Sequence, residues 1–409
     1  MRILIVNHYS GSPKLGMEYR HFYMAQEFLR LGHAVCIVSS SFSHLRICQP
    51  QCSKNTIQMS SNEGVHHIWL KGCEYKSNGF KRLMNMLGFA VNLWRGAKEI
   101  ARIYSPDIVY TSSPHPFISY GAVRIARKAC AKFVFEIRDL WPLSLIELNG
   151  TSAYHPLAWI LNHAEQYGCS HADRVISLLP KVADYMVETR KISISKLAII
   201  PNGVYLPDWQ GERQALIGEL AEYMKSTIAN GYLIVGYAGS HGLPNALDSL
   251  LDAAKLLIDK PIRFVLVGDG HEKVSLQHRV INEKMTNVRM FEPIPKAQMP
   301  ALLLGFDIAY IGWKRMPIYR FGISPNKMMD YMMAGCPILH SVEAGNDPVA
   351  DACCGLTVYP ESPELIAEGI LKLAELNSSE RRAMGLRGET YVKENHAYSV
   401  LAQKFLSIM

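Results

Sequence analysis

The chain has 409 residues, 49% of them hydrophobic and 19% charged, and a formal net charge of +7. These values exclude a disordered chain and predict two or three domains, each able to bury a sizeable core. The positive balance is mild and comes with no RNA-binding signature or zinc-finger spacing, so it excludes nucleic acid as the expected partner and fits an anionic substrate or an anionic membrane surface.

In chain order, Arg2-Ile3-Leu4-Ile5-Val6 reads as a buried strand rather than a secretion signal, and Gly11, Pro13 and Gly16 mark the loop after it. A helix is predicted over about 17–31, with Phe22, Ala25, Phe28 and Leu29 on one face and Gly32 as its stop. A strand over 34–39 completes a βαβ unit. In the segment 81–102, Lys81, Arg82, Arg95, Lys98 and Arg102 are interleaved with Leu83, Met84, Met86, Leu87, Phe89, Val91, Leu93 and Trp94. It reads either as a core helix with solvated basic edges or as a helix resting on an anionic bilayer. Apolar runs at 107–110 and 133–137 alternate with helical stretches, the pattern of a doubly wound parallel sheet.

The pattern restarts after Pro201-Asn202-Gly203. A strand over 232–237 leads into Ala238-Gly239-Ser240-His241-Gly242, followed by a helix carrying Leu247, Leu250, Leu251, Ala254 and Leu257. A strand over 263–267 ends in Gly268-Asp269-Gly270, and runs at 307–311 and 337–339 complete the set. The expectation is two Rossmann-like domains, 1–199 and 200–392, facing across a cleft, with a terminal helix at about 393–409 that packs on the first. Nine scattered cysteines without a C-x-x-C pair fit a reduced cytoplasmic protein, and no apolar run reaches membrane-spanning length.

The segment Phe321-Gly322-Ile323-Ser324-Pro325-Asn326-Lys327-Met328-Met329-Asp330-Tyr331 reads as a strand-to-helix loop built for a phosphate and a ribose. Gly322 permits close backbone approach, Ser324 is expected to cap the helix and Pro325 to open it, and Gly335 to stop it. The free N–H groups and positive dipole end there suit an anion, and Lys327 adds a full charge. Asn326 and Asp330, four apart, share a face. A carboxylate there can accept two hydrogen bonds from a vicinal diol. The four methionines of this stretch are expected to be helix packing.

Pro201-Asn202-Gly203-Val204, Val267-Gly268-Asp269-Gly270 and Asp330-Tyr331-Met332-Met333-Ala334-Gly335-Cys336-Pro337 together resemble family-4 retaining glycosyltransferases of the GT-B fold. The resemblance covers nearly the whole chain. Gly16-Met17-Glu18-Tyr19-Arg20, Arg138-Asp139-Leu140-Trp141-Pro142, Gly239-Ser240-His241-Gly242 and Ser324-Pro325-Asn326-Lys327 resemble a bacterial branch containing N-acetyl-L-fucosamine transferases, which build O-antigen and capsule repeats on a polyprenyl-diphosphate lipid. The chain also departs from the wider family. Of two acidic residues eight apart, the second matches Asp330 and the first falls on Gly322; the basic residues flanking the glycine loop of the second domain are missing near Gly239–Gly242. Lys327 is the candidate for the missing charge, with His241 the weaker one.

The resemblance implies a nucleotide diphosphate sugar, UDP-linked, as donor and a lipid-linked saccharide as acceptor, with no cofactor. No metal is expected, since no Asp-x-Asp pair stands in the sequence. It implies donor contacts from Gly16, Gly239, Ser240, His241, Gly242, Gly268, Ile323, Ser324, Asn326, Lys327 and Asp330. Glu18, Arg20 and His115 fall to the acceptor, and Lys327, Arg138 and Asp139 to the chemistry. Three other readings compete: a nucleotide-sugar epimerase of the same fold, a non-catalytic membrane-surface scaffold, and a dinucleotide-dependent oxidoreductase, against which the missing G-x-G-x-x-G counts.

Overall fold

The computed structural model describes residues 1–50, 57–75, 80–211 and 213–409. Contacts divide the chain into two α/β units, Met1–Pro201 with Tyr398–Met409, and Asn202–Ala397.

The first unit holds the strands β1 (Arg2–Val6), β2 (Ala34–Ser40), β3 (Ile57–Asn62), β4 (Val65–Leu70), β5 (Ile108–Ser113), β6 (Lys132–Ile137), β7 (Arg174–Ser177) and β8 (Leu197–Ile199). They form one sheet in the order β3-β4-β2-β1-β5-β6-β7-β8. All pairs are parallel except β3 with β4. Helices α1 (Arg20–Arg30), α2 (Phe80–Tyr104), α3 (Ile118–Ala129), α4 (Leu143–Asn149), α5 (Pro156–His171) and α6 (Ala183–Arg190) connect them. Ile3, Leu4, Ile5 and Val6 are all fully buried, which is why β1 reads as an unbroken apolar run: a parallel sheet covered on both faces leaves no residue for solvent.

The second unit holds β9 (Leu233–Ala238), β10 (Ile262–Val267), β11 (Val288–Phe291), β12 (Ile308–Gly312), β13 (Ile338–Ser341) and β14 (Gly355–Val358), all parallel, in the order β11-β10-β9-β12-β13-β14. Its helices are α7 (Gly218–Ala229), α8 (Leu247–Leu256), α9 (Lys273–Asn282), α10 (Met299–Leu303), α11 (Asn326–Met333), α12 (Pro348–Asp351), α13 (Pro363–Glu375) and α14 (Ser378–Asn395). The last helix, α15 (Tyr398–Ser407), belongs to the first unit, where Phe405 packs on Phe28 and Tyr110 with ring centroids 5.0 and 4.7 Å apart.

Two local expectations are corrected. Helix α1 starts at Arg20 rather than near residue 17, because Glu18 is held in the loop: its carbonyl accepts from Gly11 N at 2.9 Å and its N–H reaches Tyr9 O at 3.4 Å. Helix α2 has a core face, as the first reading expects, and an exposed face that is also apolar in part. Phe89, Leu93, Ala97 and Ile100 are buried, while Met84, Leu87, Val91 and Trp94 stay exposed beside exposed Lys81, Arg95, Lys98 and Arg102. No helix among the described residues is long and apolar enough to cross a membrane.

One charge stands inside the apolar strand β6. Glu136 is fully buried; one carboxylate oxygen accepts from Arg20 Nε at 3.1 Å, from Arg20 Nη2 at 2.8 Å and from the Tyr110 hydroxyl, and the other lies 3.0 Å from His21 Nε2. Burial alone raises its carboxyl, but Arg20 and His21 overcome that and hold it well below the ordinary carboxylate range. The same Arg20 donates to the carbonyls of Ile200 at 2.9 Å and Pro201 at 2.6 Å, fixing the last residues of the first unit. Glu136→Ala leaves Arg20 buried without its anion and is expected to cost about 3–5 kcal/mol in denaturant unfolding of the full chain. A loss below about 1 kcal/mol would remove the cluster from the fold's determinants.

Candidate functional site

The glycine turns of the second unit are there for backbone to cross backbone. A Cβ on Gly268 would stand 1.9 Å from Gly239 O, and one on Gly270 would stand 2.4 Å from His241 O. Gly268 and Gly239 have φ of +149° and +153°, so the turns after β10 and β9 interlock. On its other side Gly239 faces Lys327: a Cβ there would lie 3.2 Å from both Cε and Nζ.

Lys327 sits in the first turn of α11. Its Nζ donates to Tyr237 Oη at 2.8 Å and Asn245 Oδ1 at 2.7 Å, and lies 4.3 Å from the Tyr237 ring centroid. Asn245 Nδ2 and the Tyr237 hydroxyl both donate to Ser240 O, at 3.0 and 2.6 Å, which closes the loop around the lysine. No carboxylate among the described residues pairs with this ammonium, and burial pushes it down to about 7. A cation held by neutral partners beside a helix start with no side-chain cap has the charge and the donors that an anion requires. His241 does not share that role. It is fully buried with neither ring nitrogen hydrogen-bonded, and burial, then Lys273, push it down to about 4, so it is neutral.

The expected cap is also different. Pro325, not Ser324, is the residue before α11, and no side chain caps the helix. The Ser324 hydroxyl instead accepts Asn202 N–H at 2.7 Å, and Asn202 Nδ2 donates to Ser324 O at 2.6 Å. Ile323 is held the same way, its N–H donating to Asn346 Oδ1 at 2.7 Å and its carbonyl accepting from Asn346 Nδ2 at 3.2 Å. Gly322, at φ +95°, makes the turn that a side chain would strain. Met328, Met329 and Met332 are packed into the core, and Gly335 stops the helix at φ +63°. Asn326 is exposed. Asp330 makes no pair with Lys327; burial raises its carboxyl, Lys296 pulls it down and Asp208 pushes it up. Among the described residues, no three His, Cys, Asp or Glu side chains are grouped to hold a metal ion.

In the first unit the predicted residues divide. Arg138 and Glu18, both nearly buried, are ion-paired, and Asp139 beside them is exposed. Arg20 is 2% exposed and bound to Glu136, which makes it a framework residue rather than an acceptor contact. His115 is corrected likewise. It is fully buried, its Nε2 lies 2.7 Å from His8 Nδ1, and His8 Nε2 lies 2.6 Å from Asn85 Oδ1, so it ties strand ends to α2 instead of facing a ligand. Gly16, at φ +104°, is wedged against residues 45–47, where a Cβ would meet Ile47 N at 2.7 Å. The Arg-Asp-Leu-Trp-Pro string is anchored at Trp141, whose N–H donates to Glu165 at 2.9 Å; Arg190 donates to the same carboxylate at 2.9 Å. Sequence reasoning missed Tyr237, Asn245, Asn346 and Glu136. Only Glu136 left a local signal, a charge inside an apolar run.

Two parallel-sheet units of this kind define the GT-B class. Sucrose-phosphate synthase from Thermosynechococcus elongatus superposes with a TM-score of 0.74 at 14% identity, over 100% of this chain and 98% of that one. HepE of Anabaena, solved with UDP and glucose, gives 0.66 at 13% identity, over 100% and 98%. The sequence profile described as Glycosyltransferase Family 4 matches residues 16–206, and that described as Glycosyl transferases group 1 matches residues 232–375. The chain belongs to the family-4 glycosyltransferases. It is 23% identical over 322 residues to WcaI of Escherichia coli strain K12, named for a glycosyl transferase of colanic acid biosynthesis, with 77% of each chain aligned.

The position of α11 rests on Tyr331, whose hydroxyl accepts Ala238 N–H at 2.8 Å and donates to Ala238 O at 3.2 Å. Tyr331→Phe leaves a buried N–H unpaired and is expected to cost about 1–3 kcal/mol. Thermal unfolding of the full chain measures it, and an unchanged midpoint would refute the anchor.

Proposed function

We propose that the chain transfers a sugar from a UDP-sugar to a polyprenyl-diphosphate-linked saccharide in bacterial surface polysaccharide synthesis, with retention at the anomeric carbon. N-acetyl-L-fucosamine is the donor sugar of the branch it resembles. The observation that carries this reading is Lys327, a half-buried ammonium with neutral partners at an uncapped helix start. The UDP complex of HepE and the naming of WcaI for colanic acid biosynthesis support it.

As the glycosidic bond to the diphosphate breaks, positive charge grows on the sugar ring and negative charge on the leaving phosphate. Lys327 and the N–H groups of Asn326 and Lys327 stabilise the latter, and more strongly as the charge develops. Asp330 accepts from the ribose hydroxyls. In the first unit, Asp139 receives a sugar hydroxyl, with Arg138, tied to Glu18, orienting it. The leaving phosphate takes the acceptor proton.

Lys327→Met is expected to lower kcat and UDP affinity more than it raises the donor KM, because UDP carries the full leaving-group charge. Asp330→Ala is expected to weaken UDP and UDP-sugar alike. The pH dependence has a definite sign. The Lys327 ammonium is charged below about 7, so its contribution to UDP binding is full at pH 6 and fades above 7. The UDP phosphate itself ionises near pH 6, so the difference between wild type and Lys327→Met isolates the lysine. Calorimetry should show that difference shrink by up to about tenfold per pH unit above 7; a constant difference would remove Lys327 from the diphosphate site.

The lipid-linked acceptor places the enzyme at a membrane surface. The exposed stripe Met84, Leu87, Val91 and Trp94 with its basic neighbours fits an anionic leaflet. Sedimentation with anionic liposomes should fall with added salt and fall further in Trp94→Glu. Equal sedimentation with neutral liposomes and with Trp94→Glu would refute the membrane reading.

A further inference from the structure

On the reading of α11 as the diphosphate site, the turn in front of it must be held in place. Ile323 and Ser324 lie between Gly322 and the first residue of α11, and no local cap fixes them. They are instead gripped by two asparagines from other parts of the second unit. Asn346 closes a two-bond ring with the main chain of Ile323. Asn202 does the same at Ser324, through its own N–H to the hydroxyl and its side-chain amide to the carbonyl. Asn202 is itself fixed, since its carbonyl lies 3.0 Å from His396 Nδ1 and it is 6% exposed.

This arrangement sets the chemistry of Ser324. A hydroxyl has one proton to give and lone pairs that accept. Its oxygen already accepts the Asn202 N–H, so the proton is left to give, and it turns towards an anionic oxygen. The carbonyls of Ile323 and Ser324, which would repel a phosphate, are each occupied by an asparagine amide. The Ser324 hydroxyl is thus the donor that the turn has left to give, while the Ile323 N–H is taken by Asn346.

We propose that Asn202 and Asn346 are positioning residues of the donor site: they turn away the carbonyls of Ile323 and Ser324 and leave the Ser324 hydroxyl as a proton donor to the diphosphate. They touch no reacting atom and act through Ser324 and the start of α11.

Calorimetry of UDP binding to the full chain, with thermal unfolding run in parallel, tests this. Asn346→Ala and Asn202→Ala should each weaken UDP by about fivefold to tenfold, the scale of one or two lost hydrogen bonds. Ser324→Ala should weaken it similarly. The deciding readout is the double variant: Asn202→Ala keeps the main-chain N–H that the Ser324 hydroxyl accepts and loses only the amide on the Ser324 carbonyl, so its effect should persist to within about twofold in the Ser324→Ala background. Asn346→Asp keeps the acceptor for Ile323 N–H but sets a carboxylate against the Ile323 carbonyl and near the anion, so it should weaken UDP at least as much as Asn346→Ala. Wild-type UDP affinity in the folded alanine variants, or loss of the Asn202→Ala effect in the Ser324→Ala background, would overturn the proposal. Asp330→Ala separates the two claims: if it weakens UDP while both asparagine variants bind normally, this proposal alone fails, and if it binds UDP normally, the donor-site reading fails first.

Discussion

The candidate site depends on a positive charge that the fold half-buries and does not neutralise. Lys327 could have been paired with Asp330 one turn along its own helix, an arrangement that favours stability. Instead its ammonium is drawn to Tyr237 and Asn245, under the glycine turn after β9, where its partners are a phenol and an amide. Burying a cation on neutral partners is unfavourable, and the depressed proton affinity of Lys327 is the sign of that cost. Under the proposed function an anion would offset that cost, and the same contact would then both bind and stabilise charge.

The surrounding structure serves that placement. Gly239 has no side chain to crowd the ammonium, and Gly268 lets the neighbouring turn lie against Gly239. Tyr331 pins α11 to the end of β9, and Asn202 and Asn346 hold the turn before it. These contacts join residues far apart in sequence, so the helix start is set by the whole unit. The first unit has its own buried charge, Glu136, met by Arg20, His21 and Tyr110. There the charge is fully answered, and the result is framework rather than site.

The alternation of buried strands and amphipathic helices was legible because parallel strands covered on both faces must be apolar throughout, as in Ile3 to Val6. The α11 loop was legible because glycine, proline and lysine at a helix start have local physical consequences. Its fixing was not. The local rule that serine caps a helix led to Ser324 as the cap, and the structure gives that hydroxyl to an N–H 122 residues away. Tyr237 and Asn245, 90 and 82 residues from Lys327, leave no spacing to read. His115 and Arg20 read as site residues because they follow strands or glycine loops, yet their side chains turn inward to His8 and Glu136. Position at a strand end limits where a side chain starts, and packing decides where it goes.

The central claim is that Lys327 is a cation waiting for the diphosphate of the donor. Nitrogen-15 NMR of the lysine side chains, with Lys327 assigned by its loss in Lys327→Met, tests it most directly. The account predicts a titration midpoint near 7 without nucleotide and a rise of at least about one unit when UDP is bound. A midpoint near the ordinary lysine value of about 10.4, unmoved by UDP, would contradict it.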